Sequence, residues 1–383
     1  MRKMILSLIL VSGLIACGRA PASAGSYAGT RLAPAESMGG TGSGDAAPAE
    51  SSSALRLSQS RTVYREIDRE EAAYPEFFAK AEPFATIPGL KEGMTPQGMG
   101  VDQSSGKTFI SSYAGDNLPS AVTVLSADGQ FSGERFLYRQ NGEAFSGHVG
   151  GLAVAEDTLY LSDQLDHDGG FSIVPFSLGD FTEAGSRNLE LSGSITLPVS
   201  PSFLNYSEGY LWVGNFYYPD AGYDLGGIMK ETTPSDGEEM GTYILGYDLS
   251  SQGGARMRET GPDGYPVPDL VLAATDRIQG MTVLQDHSIL LSQSYGRKNP
   301  SALLHYAAPE KEGQKTAFSV GSAKVEGYVL DSRLLLENIT APPMTEAVAA
   351  LPGGIVQVNF ESGAMRYDDG RDRTDQLWRM KLE

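Results

Sequence analysis

Four side chains in this sequence have the type and spacing to do chemistry at one place: Gln97, His148, Gln279 and Glu346. Two of them sit in near-identical text, Thr95-Pro96-Gln97-Gly98-Met99-Gly100-Val101 and Arg277-Ile278-Gln279-Gly280-Met281-Thr282-Val283. A variant, His148-Val149-Gly150-Gly151-Leu152-Ala153-Val154, lies between them. His148 is a candidate general base or metal ligand, or else a hydrogen-bonded structural histidine in a tight glycine-rich turn. Glu346, in Pro342-Pro343-Met344-Thr345-Glu346, is the one acid the repeats place on the same axis. A carboxylate there must be paired, hydrated or bound to a cation. Calcium held by Glu346, Gln97, Gln279 and backbone carbonyls would satisfy it. The glutamines also have a plainer use, as hydrogen-bonded fasteners from one repeat to the next.

Asn215, Tyr217, Tyr295 and Arg297 fall in loops that face the same way and are candidate binding residues. The aromatic run Trp212, Phe216, Tyr217, Tyr218 reads either as a sugar or peptide platform or as alternating core and loop aromatics. The stretch from Asp163 to Asp168 resembles a cation loop but lacks the ligand spacing and closing Glu of an EF-hand, so it reads as a solvated acidic turn. No nucleophile elbow, His-Glu-x-x-His, phosphate loop or dinucleotide fingerprint occurs.

The elements that must position these residues are short β-branched or aromatic strands bounded by turns, four to a unit, with no helical period between them. That pattern is an all-β propeller. Five units can be traced, with first strands near 98–101, 152–154, 202–206, 281–284 and 347–351. Six blades is the alternative, because 217–241 and 307–332 have room for further strands. The fifth unit lacks its outer strand, and Phe84-Ala85-Thr86-Ile87-Pro88 is spare at the start. It is expected to complete the last blade and close the ring, which also removes an exposed edge. Matching the copies puts Gln97, Gly150, Ser202, Gln279 and Glu346 at equivalent inner positions. The Gly after each Gln lets backbones approach near a crowded axis.

Length allows one large domain or two ordinary ones. The formal charge of −19 argues against nucleic acid or anionic lipid headgroups as partners. The single cysteine, Cys17, excludes an intrachain disulfide or a thiolate metal site in the folded part. Met1-Arg2-Lys3 and the apolar run Met4 to Ile15 have the shape of a secretory signal. The run ends Leu14-Ile15-Ala16-Cys17-Gly18, which resembles the lipobox of bacterial lipoproteins. That resemblance implies cleavage after residue 16, lipidation of Cys17 and a durable membrane anchor outside the cytoplasm, in the periplasm or at the cell surface. Residues 17–60, rich in Ala, Gly, Ser and Pro, read as a flexible tether. Residues 61–83 read as a short amphipathic helical lead-in limited by Pro75, and 84–383 as the propeller.

The motifs Thr95–Met99, Gly147–Gly151, Leu211–Phe216, Gln279–Met281, Ser294–Arg297 and Pro342–Glu346 together resemble a group of secreted bacterial propeller lipoproteins. More distantly the chain is similar to the calcium-dependent lactonase and strictosidine-synthase-like propellers, whose metal ring is Glu, Asn and Asp on inner strands. Glu346 fits that ring by type, and Gln97 and Gln279 replace other members. The expectation is a lipid-anchored extracytoplasmic propeller acting as a binding or scaffolding module for a protein or small-molecule ligand. The alternative is a calcium-dependent lactone or ester hydrolase, with calcium at Glu346 and His148 as base.

Overall fold

The structure, a computed structural model, describes residues 55–64, 67, 73–114, 118–163, 170–181, 187–223, 240–250, 257 and 260–382. All belong to the compact unit Leu55–Glu383. The signal segment 1–16, Cys17, the tether up to residue 54 and the acidic run after Asp163 lie outside the described residues. Among the described residues no helix is long and apolar enough to cross a membrane.

In chain order, helix α1 (Pro75–Lys80) leads into β1 (Ala81–Thr86). Blade one is β2 (Met94–Val101), β3 (Thr108–Ala114), β4 (Ala121–Leu125) and β5 (Phe131–Tyr138). Blade two begins with β6 (Leu152–Ala155), β7 (Thr158–Asp163) and β8 (Phe171–Ser177). Then β9 (Asn188–Glu190) returns to the edge of blade one, in parallel with β5, and β10 (Ile195–Leu197) completes blade two. Blade three is β11 (Phe203–Ser207), β12 (Tyr210–Gly214), β13 (Thr242–Asp248) and β14 (Leu270–Ala274). Blade four opens with β15 (Ile278–Val283), β16 (Ile289–Gln293) and β17 (Ser301–Tyr306). After β18 (Lys315–Val320) and β19 (Ala323–Val329), β20 (Leu335–Ala341) closes it. Blade five is β21 (Thr345–Leu351), β22 (Ile355–Phe360) and β23 (Gln376–Lys381). The chain therefore forms a five-bladed β-propeller.

The ring closes as the spare first strand required. β1 pairs antiparallel with β23, from Ala81↔Met380 to Thr86↔Gln376. The strand begins earlier than the 84–88 expected, because the chain already turns at Gly89, whose φ is +82°. Pro83 is tolerated beside a register shift on this strand, where a missing N–H costs no ladder bond. The stretch 307–332 does hold strands, but they make no sixth blade. The β18–β19 hairpin adds to the outer edge of blade three through a parallel β14–β19 pairing. Phe318, Val320 and Val325 carry it into the core between blades two and three.

The helical lead-in is shorter than the sequence suggested. Pro75 opens α1 rather than ending a longer helix, since its fixed φ suits the first helical turn and its missing N–H is lost there at no cost. Residues 58–63 run across blades five and one instead. Thr62 and Val63 give their amides to Asp375, and Arg61 forks onto the same carboxylate at 2.9 Å. Between blades the apolar faces meet in separate cores. Met99, Ile110 and Ala347 share one at the closing seam, and Phe109, Leu152 and Leu161 share the next.

Candidate functional site

The five first strands stand around the axis, each touching the next, and β11 also touches β2 and β21 across it. The strands meet across the middle of the axis, and the candidate residues lie toward one mouth of it. Three first strands are bulged where candidate residues sit: β2 between Pro96 and Met99, β15 between Ile278 and Gly280, and β21 between Thr345 and Val348. A bulge inserts one residue into the ladder and re-aims its side chain. Gln97, Gln279 and Glu346 are the residues so placed. Close packing explains the glycine after each Gln. A Cβ on Gly98 would lie 2.6 Å from Leu152 N, and one on Gly280 would lie 2.9 Å from Ala347 Cα. Two residues before the bulged side chain, Arg277 and Met344 hold φ of 57° and 64°, a left-handed backbone that non-glycine residues adopt at a cost.

Fastening from blade to blade is done by the second strands. Ser111 Oγ donates to Val149 O at 2.7 Å, Ser292 Oγ donates to Glu346 O, and Asn359 Nδ2 donates to Gln97 O at 2.9 Å. Gln97 is thereby free for another role. Its Nε2 donates to Glu361 Oε2 at 2.9 Å. Tyr367 donates its hydroxyl to the same oxygen at 3.3 Å, and Tyr113 reaches Tyr367 at 3.3 Å. Glu346 and Glu361 are hydrogen-bonded to one another.

Two carboxyls in direct contact at a largely dry site cannot both ionise, so they share one proton. Burial raises both. Glu361 is pushed up to about 7 against the pull of its donors Gln97, Tyr367 and Glu346 and of the Arg366 charge. Glu346 is raised well above the ordinary range by burial, by the charge of Glu361 and by the bond it donates. The three donors converge on Glu361, which assigns the negative charge to Glu361 and the proton to Glu346. No guanidinium or ammonium forms an ion pair with either carboxyl among the described residues.

His148 stands on the rim, its ring 4.1 Å from that of Tyr113. It keeps exposed surface, yet protein wall surrounds it. Burial in that wall and the nearby Arg366 charge lower its pKa toward 4. The imidazole is therefore neutral at pH 7. Tyr295 is exposed and packs on Phe216 and Tyr218, with centroids at 6.3 and 4.7 Å. Arg297 pairs with Asp369 at 2.8 Å and covers the Tyr367 ring. Asn215 is buried, with its amide bonded to Tyr243 N and Gly241 O, so it holds its own blade together. Tyr217 is buried against Gly241. Gln279 is half-buried and has no side-chain hydrogen bond to a described residue.

Glu361, Tyr367, Tyr113 and Arg366 were not singled out from the sequence. A signal for Glu361 existed. Opposite the bulges lie Ser111, Ser292 and Asn359, and two residues on from these come Tyr113, Ser294 and Glu361. Ser294 N bonds Arg277 O as Glu361 N bonds Met344 O, which confirms the equivalence. Lining up second strands as well as first strands brings the second acid to the mouth.

The fold and the paired acids define the class: a five-bladed propeller with a carboxyl pair at one mouth of its axis. No protein-family profile matches the sequence, and no curated protein matches it. Among solved structures it is similar to a PQQ-bound aldose sugar dehydrogenase from Streptomyces coelicolor, at 14% identity, 79% of this chain, 98% of that chain and TM-score 0.44. A gluconolactonase from Xanthomonas campestris matches at 12% identity over 81% of this chain and 93% of that chain, with TM-score 0.35. A GH43_1 enzyme from Xanthomonas citri matches at 11% identity over 81% and 92%, with TM-score 0.36. At these values the likeness assigns no activity to this chain.

Proposed function

We propose that the protein is a small-molecule hydrolase acting on a lactone or ester, with the Glu346–Glu361 pair as its acid–base machinery. The observation that carries this is the shared proton. A carboxylate and a carboxylic acid held together, without an ion pair to a described residue, destabilise the fold, and such pairs belong to sites that move protons. The Glu361 carboxylate takes a proton from water as that water adds to the carbonyl carbon. Glu346 gives its proton to the carbonyl oxygen as negative charge builds there. When the tetrahedral species collapses, the carbonyl re-forms as its hydroxyl returns a proton to Glu346, the C–O bond to the alkoxy group breaks, and the proton held by Glu361 passes to the leaving oxygen, which restores both carboxyls. Gln97 and Tyr367 fix Glu361 in place.

A second reading adds calcium. Asn359, across the ladder from the bulge that carries Glu346, has a buried Oδ1 with no partner. Two carboxylates and an amide oxygen are ligands of the type calcium takes, and a cation there would replace the shared proton and polarise a carbonyl. Lipidation at Cys17, and with it a position outside the cytoplasm on a membrane anchor, is part of the same proposal and rests on the signal and tether sequence.

The test is a panel of five- and six-membered lactones and small esters, followed by kcat/KM against pH for the wild type, Glu346→Gln and Glu361→Gln, with and without chelator. We expect a bell-shaped profile and a loss of about a hundredfold or more in either variant. Turnover that both variants retain in full would sink the carboxyl-pair mechanism. A Glu346-dependent rise in melting temperature with calcium would favour the second reading.

A further inference from the structure

We infer that the substrate taken at this mouth carries a free carboxylate, and that Arg366 binds it. This rests on the hydrolase reading and deepens it. Three arginine–tyrosine stacks stand around the mouth: Arg277 over Tyr218 at 5.3 Å, Arg297 over Tyr367 at 4.8 Å and Arg366 over Tyr113 at 5.0 Å. Two of these cations are already matched, Arg277 by Asp276 at 3.0 Å and Arg297 by Asp369 at 2.8 Å. Arg366 makes no ion pair or hydrogen bond with any described residue. In a chain with 48 acidic against 29 basic residues, a carboxylate for it would be easy to supply.

Its position suits a substrate contact. Arg366 belongs to the 3-10 turn Met365–Tyr367, next to the tyrosine that bonds Glu361. Its charge is felt by both Glu361 and His148. Its guanidinium lies over the Tyr113 ring and is exposed, and a guanidinium edge matches a carboxylate with two parallel hydrogen bonds. The carboxyl pair keeps one negative charge, so an anion arriving there needs a compensating cation, and Arg366 is the unmatched one. A phosphate dianion would meet twice the repulsion from Glu361, which favours a singly charged carboxylate. The substrate class is a lactone or ester with a second, free carboxyl group, as in the lactone of a sugar diacid. Phe216, Tyr218 and Tyr295 offer it flat faces nearby.

The experiment compares two lactones of one size, glucaro-1,4-lactone (carboxylate) and glucono-1,4-lactone (neutral), with glucose 6-phosphate as a phosphate control. Binding is read by thermal shift and calorimetry, and turnover separately. The full chain is used as wild type, Arg366→Gln and Arg366→Lys. Arg366 is exposed, so both variants are expected to fold. We expect the wild type to prefer the carboxylate lactone by about tenfold, the value of one charge-assisted contact, and to lose that preference in high salt. Arg366→Gln should abolish the preference in binding, and Arg366→Lys should restore only part of it. Equal preference in the wild type and Arg366→Gln would overturn the inference even if both lactones are hydrolysed. Binding of the carboxylate lactone without turnover, lost in Arg366→Gln, would uphold it while the hydrolase reading failed. Binding of glucose 6-phosphate as tight as that of the carboxylate lactone would overturn the carboxylate assignment.

Discussion

Replacing Glu361 with Gln should make the protein more stable at alkaline pH, and by an amount that can be worked out. In the wild type Glu361 is raised from its ordinary 4.5 to about 7, and Glu346 is raised as well. The folded state therefore holds more protons than the unfolded chain through the interval from about 4.5 to about 7. Stability falls as pH rises wherever that is so. The wild type keeps the full benefit below pH 4.5 and loses it as pH passes through 7. For Glu361 alone the loss is roughly 3 kcal/mol, reduced to about 2 because the group is half-buried and water screens it. In Glu361→Gln that group no longer titrates, and Glu346 loses the neighbouring charge that helps to raise it, so the Glu361 share of the fall disappears. The assay is the melting temperature of both proteins from pH 4.5 to 8.5, read as the difference between them, which cancels every other carboxylate. We expect near-equality at pH 4.5 and a gain of roughly 5 °C for the variant at pH 8.5, from about 2 kcal/mol at 2–4 °C per kcal/mol. Two curves that stay parallel across the range would show that the pair shares no proton, and the acid–base mechanism would fall with it.

Three further predictions concern the frame. Asp375→Ala should cost about 3 kcal/mol, measured by urea unfolding, because Arg61 and the amides of Thr62 and Val63 lose a fully buried acceptor. Although burial opposes its charge, bonds from Gln376, Val63, Arg61 and Thr62 hold Asp375 below the usual 3.8. Its stabilisation is therefore present above that value and lost as pH falls below it, and in Asp375→Asn the acid limb of the stability curve should flatten. Gly150→Ala places a Cβ 2.4 Å from Ser202 O, a backbone atom that cannot step aside, and should lower stability by about 2 kcal/mol or more on thermal melting. Ser111→Ala removes the bond to Val149 O that ties blade one to blade two and should cost about 1–2 kcal/mol, with hydrogen exchange rising at that seam before the outer strands.

Much of this architecture is written in local text. Period-two strands and turn glycines such as Gly129, at φ +85°, recur at fixed spacing, so a ring of five or six blades follows from counting and closure from one leftover strand. The glycines after Gln97 and Gln279 likewise announce a crowded axis, because only a residue without Cβ fits there. The bulges, the left-handed Arg277 and Met344, and the pairing of Glu346 with Glu361 are a different matter. They depend on how far each strand slides past its neighbour and on which loops converge at the end of the axis. Sequence types alone placed one acid at the mouth and made the repeated glutamines its fasteners. The tertiary structure gave the fastening to Ser111, Ser292 and Asn359, turned Gln97 toward Glu361 and left Arg366 without an ion-pair partner among the described residues. A proton shared between residues 15 positions apart exists only because neighbouring strands of one blade bring both carboxyls to the same dry place, and desolvation acts on position in space, not on position in the chain.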